Sequence, residues 1–142
     1  MNDHDAILAL MSEYCDSIDR GDLGDCAALF AEGAWGIEGD LAHGADAVKA
    51  LLDNVTLYDG RPMTRHLMSN VRITVQGDGA QAQSCITVMQ GLEDFPLQAI
   101  FIGTYFDSFS RGDGGWVWRE RRIVPDLIGD LSRHRRDMAP ER

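Results

Sequence analysis

The stretch VRITVQGDGAQAQSCITVMQ, residues 71–90, decides the fold. Val71, Ile73 and Val75 alternate with Arg72 and Thr74, which is the period-two pattern of a strand with one face toward a core. Gly77-Asp78-Gly79 then turns the chain, and residues 82–90 form a second extended run. Residues 97–108, rich in Ile, Phe and Tyr, give a third strand. The turn at 111–115 leads into a fourth over 116–124. Strands at this spacing form an antiparallel meander.

The segment leading into this sheet, TRHLMSN (64–70), raises a conflict. By strict alternation His66 shares a face with Asn70 and Arg72, while Val71, Ile73 and Val75 point the other way. A bulge near Ser69-Asn70 brings both sets inward. The alternative is a sheet covered on both faces, by helices on one side and a partner subunit on the other. The sequence leaves both open.

Upstream, the period changes. Ile7, Met11, Tyr14, Cys15 and Ile18 recur at three- and four-residue steps, so residues 3–19 read as an amphipathic helix ended by Gly21. Asp22 as cap and Asp25 in the first turn open a shorter helix bearing Leu23, Cys26, Leu29 and Phe30, closed by Gly33. AWGIEGDLAHG (34–44) reads as a short hairpin, and residues 45–55 as a third helix with Val48, Leu51, Leu52 and Val55 inward. The fold class is therefore α+β: a curled antiparallel sheet with three N-terminal helices, enclosing a cone-shaped cavity. No linker or repeat divides residues 1–142, which read as one domain with its core over about 5–125 and a tail over 126–142.

Charge narrows the partners. The net charge is −10, and residues 1–110 carry 17 acidic against 5 basic side chains, so the body repels phosphate. Nucleic acid and anionic membrane are not expected partners. The basic tail, with Arg133, Arg135 and Arg136, reads as a solvated or subunit-contacting segment. No run approaches the roughly 20 apolar residues of a membrane span. The acidic N-terminus does not read as a secretory signal. Cys15, Cys26 and Cys85 form no CxxC pair and read as buried reduced thiols of a cytoplasmic protein. His4, His43, His66 and His134 show no metal-binding spacing, so no metal is expected.

Several motifs together resemble the SnoaL-like branch of the nuclear transport factor 2-like superfamily over residues 5–125. They are Tyr14-x-x-x-x-Asp19, GDLGDCAALFAEGAW (21–35), GADAV (44–48), TRHLMSN (64–70), and GTYFDSF (103–109) followed by Gly-Gly-Trp. The superfamily hosts dehydratases, isomerases, cyclases, dehydrohalogenases, epoxide hydrolases and noncatalytic subunits. The resemblance to scytalone dehydratase, bile-acid 7α-dehydratase and hexachlorocyclohexane dehydrochlorinase implies a helix-borne aspartate at Asp19 paired with a histidine at His66. It also implies the dehydratase tyrosine at Tyr14, a tryptophan at Trp35 and a last-strand arginine at Arg121, or one position on at Arg122. The dehydrochlorinase lysine has no counterpart, since Lys49 is the only lysine.

These residue types suit one chemistry. Removing a proton from carbon needs a base with a pKa near neutrality, which histidine supplies. A carboxylate on its other ring nitrogen fixes the tautomer and stabilises the imidazolium. Tyr14 then serves as donor, Trp35 as a flat wall with an N–H, and Arg121 as a holder of anionic groups. The scheme needs no cofactor. Structural alternatives stand beside each role: Asp19 as a partner of Arg20, His66 as a satisfied strand histidine, Tyr14 and Trp35 as core, and Arg119, Arg121 and Arg122 as a surface ladder with Glu120.

The expected function is a cofactor-independent lyase or isomerase, dehydratase-like, acting on a hydrophobic oxygenated small molecule. The alternatives are a noncatalytic small-molecule-binding or oxygenase-subunit-like module, and a dehydrohalogenase. A broad outer sheet face bearing Thr, Ser and aromatic residues points to a homodimer or homotrimer.

Overall fold

A computed structural model describes residues 1–138. Helix α1 spans Asp3–Asp19, α2 Leu23–Ala28 and α3 Ala45–Leu52. The strands are β1 (Ala34–Ile37), β2 (Asp40–His43), β3 (Thr64–Gln76), β4 (Gly79–Leu92), β5 (Phe95–Gly112) and β6 (Gly115–Ile128). They form one curled, unclosed six-stranded sheet in the order β2-β1-β6-β5-β4-β3. The expected hairpin is β1–β2, and it joins the sheet through β1. That pairing is parallel to β6, so the sheet is mixed rather than purely antiparallel.

The helices cover the concave face. Ile7, Met11, Tyr14, Cys15 and Ile18 of α1 are buried, as their spacing requires. They meet Cys26, Phe30, Val48 and Leu52 from the helical side and Ile86, Val88, Ile100, Phe109 and Trp118 from the sheet. Each such side chain removed from water contributes roughly 1.5–3 kcal/mol. Gly21 ends α1 at φ +87°, and a side chain there would meet the Gly60 carbonyl at 1.9 Å. Only glycine lets the 57–63 loop pass so close beneath the end of α1.

Two helix boundaries differ from the sequence pattern. α2 ends at Ala28, leaving Leu29 and Phe30 in a turn, and α3 ends at Leu52 rather than Val55. Asp22 occupies the cap position of α2 but makes no capping bond. Its carboxylate accepts from Arg20 Nε at 2.6 Å instead.

The conflict in β3 is resolved by a bulge. Ser69 pairs with Cys85 but Arg72 pairs with Gln83, so one extra residue enters β3 at this point. Asn70 takes the left-handed conformation, φ +53°, which asparagine tolerates better than most residues. Before the bulge Thr64, His66 and Met68 turn inward; after it Val71, Ile73 and Val75 do. Further register shifts at Val88/Met89 and Ser108/Phe109 add to the curl that hollows the concave face.

Residues 131–136 of the tail fold back onto the chain. Arg135 bridges Val55, Arg136 N–H bonds the Asn54 carbonyl at 2.9 Å, and Thr56 N–H bonds the His134 carbonyl at 2.8 Å. Arg133 pairs with Asp94 and Arg135 with Asp137. The basic segment is thus packed back onto its own chain, correcting the solvated reading. Arg142 lies outside the described residues.

Candidate functional site: a histidine-lined cavity

A cavity of about 300 Å³ lies between α1, β1, α3, the sheet and the returning tail. That is at the small end of the size range of ligand pockets. Ile18, Leu52, Val55, Val88, Phe101, Ile123 and Leu131 form its apolar wall. Tyr14, Trp35, His66, Tyr105 and His134 form its polar side, and Asp40, Arg135 and Asp137 also line it. A wider hollow of about 500 Å³, rimmed by Asp16, Arg20, Arg61 and Arg65, lies beyond Asp19; His66 does not line it.

The end of α1 and the start of β3 build the first cluster. Asp19 accepts three donors: Thr64 Oγ1 at 2.8 Å, the His66 backbone N–H at 2.7 Å and His66 Nδ1 at 2.7 Å. Burial works to raise the Asp19 pKa, but the bonds from His66 and Thr64 outweigh it and hold the carboxyl below its usual range. A carboxylate has no proton to give, so the hydrogen of this pair lies on His66 Nδ1. Nε2 is then the basic nitrogen of a ring that lines the cavity. Arg20 does not compete: it pairs with Glu13 and Asp22.

Tyr14 sits beside this pair, its ring centroid 6.5 Å from that of His66. The Trp35 indole N–H donates to the Tyr14 hydroxyl at 2.8 Å, which leaves the phenolic hydrogen free for another acceptor. Burial pushes the Tyr14 phenol well above its ordinary pKa, so it is a donor and not a base.

Arg121 is placed differently from the sequence expectation. It is fully buried and donates to Asp107 through Nε at 2.8 Å and Nη2 at 2.9 Å. Its guanidinium carbon lies 3.7 Å from the Tyr105 ring centroid, 4.3 Å from Tyr14 and 4.5 Å from Trp118. Burial works to lower its pKa, but Asp107 outweighs this and raises it, so it stays charged. It lies behind the rings of Tyr14 and Tyr105 rather than on the cavity wall. Arg122 faces outward and pairs with Glu38. Asp107 also accepts from Trp118 Nε1 at 3.1 Å.

Sequence reasoning missed Asp107 and His134. Asp107 had a signal: it falls at the same strand parity as Tyr105 and Phe109, a charge among inward aromatics. His134 had none, because only the return of the tail brings it to the cavity. Among the described residues no group of three or more His, Cys, Asp or Glu is placed to hold a metal ion. No helix among them is long and apolar enough to cross a membrane.

An open curled sheet with helices on its concave side and a polar-ended cavity defines the class, the nuclear transport factor 2-like fold. Within it the chain belongs to the SnoaL-like domain family, whose sequence profile matches residues 1–122. It is similar to a protein of unknown function from Mycobacterium tuberculosis, with 27% identity, 86% of this chain and 75% of that one covered, and a TM-score of 0.73. It is also similar to a provisionally named scytalone dehydratase from Novosphingobium aromaticivorans, with 26% identity, 89% and 86% covered, and a TM-score of 0.74. A nuclear transport factor 2-like protein with a cystatin-like fold from the same organism shares the fold, with 23% identity, 98% and 90% covered, and a TM-score of 0.75. No curated protein sequence matches the chain.

Proposed function

We propose that the protein is a cofactor-independent lyase or isomerase, dehydratase-like, acting on a hydrophobic oxygenated small molecule. The observation that carries this reading is the His66–Asp19 pair, which sets the His66 ring on the polar side of a cavity whose opposite wall is apolar. His66 Nε2 removes a carbon-bound proton. Asp19 holds the ring in the right tautomer and stabilises the imidazolium that forms. Tyr14, its hydroxyl oriented by Trp35, donates to the leaving hydroxyl or the developing enolate. Likeness to a provisionally named dehydratase supports the reaction class.

The test is incubation of the wild type and His66→Ala with neutral cyclic hydroxy-ketones, following product masses. Loss of water, or a mass-neutral product, formed by the wild type alone is the expected result. Identical ligand binding with no conversion by either protein contradicts the reading and favours the noncatalytic binding or oxygenase-subunit-like module. Chloride release from chlorinated cyclic compounds instead favours a dehydrohalogenase.

We also read the chain as a cytoplasmic homodimer or homotrimer. Leu67, Thr87, Ile102 and Leu127 are successive register partners, a cross-strand row on the convex face. Leu67 and Leu127 are exposed. Sedimentation as a monomer at micromolar concentration contradicts this.

A further inference from the structure

His134 stands beside His66 on the cavity lining and takes no part in the scheme above. Both rings line the cavity, with centroids 6.4 Å apart. His134 is only 7% exposed, and its Nδ1 is buried without a hydrogen-bond partner. The main chain around it is fixed. Its N–H bonds the Leu131 carbonyl at 3.0 Å and its carbonyl accepts from Thr56 N–H at 2.8 Å. The preceding carbonyl, of Arg133, accepts from the Tyr58 hydroxyl at 2.5 Å and the Gln90 amide at 3.2 Å. A pinned backbone therefore holds an imidazole whose Nδ1 is hidden and unpaired, at a cost of roughly 1–3 kcal/mol, so Nε2 is the ring nitrogen that a molecule in the cavity can reach.

We propose that His134 is a second catalytic residue of this site, a neutral hydrogen-bond donor to the carbonyl oxygen of an uncharged enolisable ketone whose α-proton His66 removes. The proposal rests on the reading of His66 as base and specifies its substrate class. Burial first, then the nearness of His66 and Arg135, pushes the His134 pKa down to about 3, so the ring stays neutral and holds one N–H. The substrate carries no negative charge, because the nearby cations already have partners and Asp40 and Asp137 also line the cavity. Arg135 on the wall pairs with Asp137, and Arg121 behind the wall pairs with Asp107.

The step balances. His66 Nε2 takes the α-proton, and the C–H electron pair becomes the new carbon–carbon double bond. The carbonyl π pair moves to oxygen, where the His134 N–H meets it. In a β,γ-unsaturated ketone the oxygen pair re-forms the carbonyl and the γ-carbon takes the proton from His66, so the double bond moves to α,β. In a β-hydroxy ketone the oxygen pair re-forms the carbonyl, the Cα–Cβ double bond forms, and the β-hydroxyl leaves with the His66 proton as water.

Two probes separate the roles. Exchange of the α-protons of β-tetralone in D2O needs the base and a donor to the carbonyl. Ring opening of nitrobenzisoxazole needs the base, and its leaving oxygen departs as a stabilised phenolate with less need of a donor. The wild type is expected to catalyse both, and His66→Ala neither. His134→Phe is expected to lose about 10²-fold in ketone exchange while keeping most of its benzisoxazole activity. His134→Gln, which keeps an N–H, is expected to recover much of the loss, and it decides the matter if the Phe variant does not fold. Ketone exchange unchanged in both His134 variants overturns the proposal. Equal loss of both activities, or a wild type active on the benzisoxazole alone, also overturns it. Both activities surviving in His66→Ala, or absent from the wild type, overturns the base reading itself.

Discussion

Two buried pairs of a carboxylate and a nitrogen base lie on the concave side of the sheet, and they are built to opposite ends. Asp107 and Arg121 face each other across β5 and β6, are both fully buried, and are sealed by Tyr14, Tyr105 and Trp118. Asp19 and His66 join the end of α1 to the start of β3, and His66 keeps one ring nitrogen for the cavity. The first pair fixes register and holds aromatic rings in place. The second gives the carboxylate three donors and engages only one ring nitrogen of the imidazole, as the proposed base requires. Burial alone does not mark a reactive group; a buried group with a free atom on a cavity does.

Mutations that exchange the expected consequences of the two pairs would break this contrast. The largest effect is on turnover. Asp19→Asn is expected to lower kcat by about 10²–10⁴-fold, because an amide supports the wrong tautomer of His66. Steady-state kinetics on any compound converted by the wild type checks it. The sealed pair is expected to act on stability. Asp107→Ala leaves a buried unpaired guanidinium and is expected to cost about 3–5 kcal/mol in urea unfolding. Full stability in Asp107→Ala, or full turnover in Asp19→Asn, would erase the distinction.

Acid titration sharpens it. The unfolded chain protonates His134 near pH 6.5, while the folded chain resists until about 3. The unfolded state therefore binds more protons in that window. Stability is expected to fall as the pH drops through it, by up to about 1.4 kcal/mol per unit. The groups acting on the ring are His66, Arg135, Asp19 and Asp137. His134→Phe is expected to flatten this slope, read from unfolding curves at stepped pH. The smallest effect is expected from Trp35→Phe, which removes the donor to the Tyr14 hydroxyl. It is expected to cost about 1 kcal/mol of stability, read from the shift in urea midpoint.

The sheet and the first helix were legible because their signals are periodic and local. α1 runs over the residues its apolar stripe marks, and the parity conflict around His66 marked the site of the bulge that Asn70 accommodates. Register over distance was not legible. The turn pairs Gly112 with Gly115, and unbroken alternation from it sets Asp107 opposite Glu120. The shift at Ser108/Phe109 makes the partner Arg121 instead, and no local pattern announces it. The α2 cap failed because Arg20 binds Asp22 more strongly than a backbone amide does. His134 was hidden for a different reason. Its neighbours Arg133, Arg135 and Arg136 read as a solvated stretch, and only the bonds to Asn54, Thr56, Tyr58 and Gln90 bury it.

The central claim is that Asp19 keeps His66 protonated on Nδ1 and unprotonated on Nε2, ready to accept a proton from a bound molecule. Long-range proton–nitrogen NMR of the histidine rings reads this directly, with His66→Ala assigning the signals. The expected spectrum at a pH where the ring is neutral shows His66 with a protonated Nδ1 and a bare Nε2, and Asp19→Asn abolishes that preference. A His66 ring protonated on Nε2, or one whose tautomer does not change in Asp19→Asn, would contradict the account.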